Sequence, residues 1–230
     1  MARRGGRWRH CGWGLLGTLL LTSQAQAHEH WIDLDSFYPE VGTEAVLYLR
    51  SGHYFPKTIL KLSEKVLQGV VARLPDDQIL PVVVEEAEHQ WQGVVGPLEH
   101  GVHVIAFSLK RPRAGEPNYE GKAILVAGST GDAPEAYIFG SGLELLPGAP
   151  VSPLRAGDQL PLSLTLEGIR MSGELAVVPE DGRGSTVRTS PDQPAVVTLR
   201  NAGRYLVTAS VKGRGCSLVF QVREAEEGAQ

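Results

Sequence analysis

The sequence predicts an all-β protein: two β-sandwich domains, the second immunoglobulin-like, after a cleaved leader. Three observations carry that expectation. Apolar residues recur with a two-residue period along short segments. Gly, Pro and Asp clusters punctuate those segments at short intervals. No stretch of useful length keeps a helical period.

The leader is read first. Arg3, Arg4, Arg7 and Arg9 precede an apolar run over 14–21, and Ala25-Gln26-Ala27 supplies a small-x-small processing site. The run is shorter than the roughly 20 residues a membrane-spanning helix needs, so residues 1–27 read as a signal peptide cut after Ala27. Gly5 and Gly6 follow the arginine pair where a twin-arginine signal would place apolar residues, which favours Sec-type export to the periplasm or beyond. His28 then becomes the first residue and carries a free amine.

Residues 28–35 form the first expected strand. His28, His30, Ile32 and Leu34 share one face, and Trp31, Asp33 and Asp35 the other, a wet one. Pro39 and Gly42 mark a turn before a strand over 44–50, which the loop 51–56 breaks. Residues 57–65 suit one short helical turn. Strands follow over 66–74, 79–84, 88–95, 102–110 and 122–127. Small and turn-forming residues over 128–140 predict a linker, with domains over 28–130 and 141–224. In the second domain, short strands over 143–146, 160–166, 174–178, 186–189, 195–199, 205–212 and 217–222 fit the strand density of an immunoglobulin-like sandwich.

Bulk properties exclude several functions. Processing moves the formal charge from −4 to −8, because four arginines leave and no acid does. An acidic chain is a poor partner for nucleic acid or an anionic membrane surface, and no direct membrane insertion is expected after cleavage. Cys11 lies in the leader, so Cys216 stands alone, without an intramolecular disulfide, as a small apolar core residue. No nucleophile elbow, phosphate-binding glycine loop or zinc-protease helix motif is present, and the chain is not expected to be an ordinary hydrolase or nucleotide enzyme.

Histidine placement points to metal chemistry. The six histidines after the cleavage site, at 28, 30, 53, 89, 100 and 103, all fall in the first domain. Two geometries fit the processed terminus. In one, the His28 amine, two deprotonated backbone amides and the His30 ring wrap an ion in a nitrogen square, suited to Cu(II) or Ni(II). In the other, His28 gives its amine and ring, and His53 or His103 completes a brace. Against these stand ordinary readings. His103 alternates with Ile105, Phe107 and Leu109 as a buried sheet residue would, and His100 sits in an exposed turn. Residues 85–89 (Glu85, Glu86, Glu88 and His89 among them) form a charge run suited to a solvated edge.

Ala27-His28-Glu29-His30-Trp31-Ile32, Tyr38-Pro39-Glu40-Val41-Gly42 and Gly52-His53-Tyr54-Phe55-Pro56 resemble the DUF4198 family. Three later stretches fit as well: 142–147 (Gly-Leu-Glu-Leu-Leu-Pro), 154–158 (Leu-Arg-Ala-Gly-Asp) and 202–207 (Ala-Gly-Arg-Tyr-Leu-Val). Members of that family are exported proteins described as periplasmic components of nickel/cobalt uptake systems. The resemblance implies a metal site built on His28 and the His53 loop, and inner-membrane nickel/cobalt transporter subunits as partners. His30 departs from the pattern, since relatives more often carry an apolar or aromatic residue there, which favours the brace.

The expected function is therefore non-enzymatic binding of a divalent transition metal: nickel or cobalt by resemblance, copper by coordination preference. Two alternatives remain. A copper brace at a flat edge would oxidise a polymer and require an aromatic platform, for which Trp31, Tyr54 and Trp91 are the candidates unless they belong to the core. A structural or adhesion module would use no metal at all.

Overall fold

A computed structural model describes residues 29–110, 118–128, 132–140 and 142–225. The leader and His28 lie outside these residues. Sixteen strands and a single 3₁₀ turn make up the regular structure described.

The first half holds β1 (Glu29–Leu34), β2 (Ala45–Gly52), β3 (Leu67–Arg73), β4 (Ile79–Val82), β5 (Val84–Ala87), β6 (Gln90–Val95), β7 (Gly101–Leu109) and β8 (Asn118–Ala127). The second holds β9 (Leu143–Pro147), β10 (Gln159–Leu166), β11 (Ile169–Met171), β12 (Gly173–Pro179), β13 (Ser185–Thr189), β14 (Ala195–Thr198), β15 (Gly203–Val211) and β16 (Arg214–Val222). The all-β architecture and sandwich packing match the sequence expectation. Residues 57–65 correct it: they form no helical turn, and bridges at Ser51–Leu60 and Tyr54–Lys57 hold that loop instead. The expected strand over 79–84 divides at Val83. Its first part pairs β3, and its continuation pairs β6 in a different sheet.

Three sheets result. One runs β1-β2-β6-β5, a second joins β9, β10, β11 and β14, and the third has eight strands in the order β13-β12-β15-β16-β8-β7-β3-β4. The long sheet crosses from one half to the other through a parallel seam, Arg214↔Asn118 to Val219↔Ala123. The long sheet thus draws its strands from both sides of the segment expected to be a linker.

The long sheet is buried on both faces at its centre. Val102, Val104, Ile124, Val126, Cys216, Leu218 and Phe220 join one apolar cluster, packed under β9 and β10. Ile105, Phe107, Leu109, Ala123, Leu125, Leu206 and Val219 join the other, packed under β1 and β2. Strands covered on both sides read as continuous apolar runs rather than alternating ones. That is the pattern of 104–107 and 123–127.

Residues 132–140 are no exposed linker. Pro134–Tyr137 form the 3₁₀ turn, and Tyr137 is fully buried. Its hydroxyl accepts from the Val151 backbone N–H (2.7 Å) and donates to the buried Asp132. Composition signalled chain flexibility here, but a packed tyrosine and a buried carboxylate fix the crossing.

Candidate metal centre at the start of the first strand

The β1–β2 ladder runs antiparallel from Leu34↔Leu47 to Glu29↔Gly52. Residues paired this way point to the same face. His30 accordingly lies beside Ser51, with Nδ1 and Oγ 3.0 Å apart, and faces inward with Ile32 and Leu34. Its ring meets Tyr119 of β8 edge-on at 4.9 Å. The Tyr119 hydroxyl also faces the His30 backbone N–H and donates to Glu29 Oε2 at 3.0 Å. Burial, with the Glu29 charge beside it, pushes the Tyr119 phenol far above its usual value, so it stays a proton donor.

Glu29 is half-buried. Burial raises its carboxyl above the usual range, against the opposing pull of Tyr119, the Thr208 hydroxyl and His53. His53 follows β2 directly, half-buried, its ring edge-on to the exposed Tyr54. In the sequence a histidine lies next beyond each member of the Glu29↔Gly52 pair: His28 before Glu29 and His53 after Gly52.

His103 stands elsewhere. On β7 it lies six residues from Leu109, the partner of Tyr119 in the sheet. At about 3.3 Å per residue this is roughly 20 Å along the strand. It is 1% exposed, and its Nε2 lies 2.9 Å from the Glu99 carbonyl. Burial lowers its pKa. The ordinary reading of His103 as a buried sheet residue describes what is found. His89 and His100 are exposed, and Glu85 and Glu86 lie on the edge strand β5. Cys216 is buried at 1% exposure.

One surface expectation is corrected, at Asp33. Asp33 does not face water: it is 1% exposed and pairs with both Arg50 of β2 and Arg204 of β15, while Arg204 also holds Glu180. Trp31 and Trp91 are core residues, and the Trp91 indole N–H donates to the Leu62 carbonyl at 2.9 Å. Of the three aromatics proposed for a polymer-binding platform, Tyr54 alone is exposed.

Among the described residues no group of three or more His, Cys, Asp or Glu side chains is arranged to hold a metal. His28, the residue on which both expected metal geometries rest, lies outside the described residues. The sequence reading passed over Glu29, Tyr119 and Thr208. The acid between two histidines was a local signal, whereas Tyr119 and Thr208 arrive through pairings about 90 and 180 residues away in the chain, which no local pattern encodes.

No family model matches the chain, and no curated protein matches it. Similar solved structures are tandem β-sandwich proteins. A two-domain fibronectin type III segment of chicken tenascin is 14% identical, with 84% of this chain and 97% of that one covered and a TM-score of 0.28. The titin immunoglobulin tandem A164-A165 is 11% identical over 87% of this chain and all of that one, with a TM-score of 0.27. The ectodomain of mouse nectin-like molecule 4 is 13% identical over 87% of this chain and 65% of that one, with a TM-score of 0.24.

Proposed function

We propose that the exported, processed chain is a periplasmic binding protein for a divalent transition metal, held by the amine and ring of His28 together with the ring of His53. Nickel or cobalt follows from the family resemblance, with inner-membrane uptake subunits as the receiving partner. Copper follows from the higher affinity of nitrogen sites for Cu(II).

One observation carries the choice of brace over wrap. The nitrogen square needs the His30 amide deprotonated and its ring turned toward the terminus. Here that amide faces the Tyr119 hydroxyl and the ring lies against Ser51. Wrapping would dismantle the pairs Glu29↔Gly52 and His30↔Ser51, while a brace leaves the strand in its sheet. His30 then supports the site from behind, as a part of the wall. The half-buried His53 beside the exposed Tyr54 leaves an approach for an ion and for its transfer to a partner. The residues present fit such a role, because imidazole and amine nitrogens suit Ni, Co and Cu alike.

The test is a single added residue. Calorimetric titration with Ni(II) and Cu(II) is run on protein beginning at His28 and on protein with one glycine ahead of it. The extended form should bind at least about a hundredfold more weakly, since a primary ligand outweighs the ten- to hundredfold carried by supporting groups. Equal affinities would remove the terminus from the site.

A further inference from the structure

One continuous stretch of chain supplies an end strand to two sheets. Residues 79–87 form β4, at one end of the long sheet, and β5, at one end of the four-stranded sheet. The two edges differ in what their backbones offer. In an antiparallel ladder, the N–H and C=O groups of successive residues turn to opposite sides. The Leu74 N–H donates to the Gln78 carbonyl at 2.8 Å, so Leu80 and Val82 turn toward β3 while Ile79 and Pro81 turn outward. Proline has no N–H, which guards the β4 edge. At β5 the same bookkeeping leaves donors free. The Asp35 N–H donates to the Val46 carbonyl at 3.0 Å, so Ala45, Leu47 and Leu49 turn the other way, toward β6. Gln90 and Gln92 of β6 then turn to Ala87 and Glu85, and the N–H and C=O groups of Val84 and Glu86 point out of the sheet.

We propose that β5 takes up an extended segment of another protein as an added strand, one carrying lysine or arginine among apolar residues. The backbone groups of Val84 and Glu86 supply the pairing. Val83 and Val94, which flank the Val84↔Gly93 pair, are 79% and 49% exposed and give apolar side chains a surface to cover. Charge selects the partner. Residues 79–88 hold three glutamates and no Lys or Arg, and Glu85 and Glu86 are both exposed. Pairing of two β5 edges would set glutamates beside glutamates, which excludes a second copy, whereas a basic strand gains at the same positions. This surface is independent of the metal reading.

The probe is a fluorescein-labelled peptide of about ten residues built from lysine and valine, with a glutamate-for-lysine copy as control. Anisotropy titrations of the processed chain near physiological salt should show the basic peptide binding at least about tenfold more tightly than the acidic one. Glu85→Lys should weaken it about tenfold, since an attraction becomes a repulsion. Glu40→Lys makes the same change of net charge at an exposed site outside β5 and should leave binding as it was. Glu86→Pro removes an outward N–H and should also weaken binding about tenfold. Hydrogen exchange supplies a readout that needs no variant, because the bound peptide should slow the Val84 and Glu86 amides. Equal affinity for the two peptides, or equal losses in Glu40→Lys and Glu85→Lys, would reduce the effect to bulk charge and overturn the proposal. Binding without protection of those amides, or no binding, would overturn it too. Self-association that protects the same amides would assign the edge to a second copy instead.

Discussion

At His103 the ring has a carbonyl as its partner, and a carbonyl only accepts. Nε2 therefore carries the proton and donates to Glu99, which leaves Nδ1 unprotonated, buried and without a hydrogen-bond partner among the described residues. Burial holds the imidazolium below the ordinary value of about 6.5, so the folded chain binds this proton more weakly than the unfolded chain. The sign follows: stability from His103 is intact above about pH 6.5, falls as pH drops through it, and levels once the folded ring also protonates. His103→Gln keeps a donor for Glu99 and removes the titration. The wild-type-minus-variant difference in urea stability should be flat from about pH 8 to 6.5 and decline toward about pH 5. A difference that rises on acidification would contradict the burial. Single residues also mark where sequence reading fails. Asp33 alternated correctly with Ile32 and Leu34, yet its face is covered by Arg50 and, from 171 residues away, Arg204. Alternation says that two faces differ. It does not say that the second is wet.

At the level of strands, the two-residue period placed nearly every element within a few residues, because each sandwich strand has its own local pattern. What it could not place was the third dimension of pairing. The strand over 79–87 changes sheets at Val83, and β16 joins β8 in parallel, a partnership with no turn between them to announce it. On that seam Gly121 stands opposite Ser217. A Cβ at Gly121 would overlap Ser217 Oγ and the Phe107 ring. Ser217 Oγ is itself buried with no hydrogen-bond partner among the described residues. One rung thus yields two substitutions of opposite character. Gly121→Ala should cost about 1–3 kcal/mol through overpacking. Ser217→Ala should be neutral or stabilising, because it removes a polar atom that gains nothing in the fold. Urea midpoints measure both, and a Gly121→Ala variant as stable as wild type would show that the seam is packed more loosely than these contacts require.

Across the whole molecule, contacts between the halves are of the kind found within domains. Lys122 of β8 is 4% exposed and Glu144 of β9 is 6% exposed, and they pair at 2.6 Å with the ammonium also donating to the Tyr137 carbonyl at 2.6 Å. Burial lowers the Lys122 pKa while Glu144 opposes the shift. Separating such a pair leaves each charge in need of water, so this contact resists partial opening. Tyr38 packs against both apolar clusters and donates to the Gln221 carbonyl at 2.7 Å. With a continuous sheet and two shared clusters, unfolding one sandwich exposes the seam edge and one face of the other. The halves should accordingly melt as a unit, unlike modules joined by a linker. The distribution of tryptophan makes this easy to read. After processing, Trp31 and Trp91 remain, and both belong to the first sandwich. Tryptophan emission therefore follows that sandwich alone, while far-ultraviolet circular dichroism follows strands of both. The two signals should trace superimposable urea transitions with one midpoint. A dichroism transition that continues after the emission change is complete would mean that the second sandwich stands by itself.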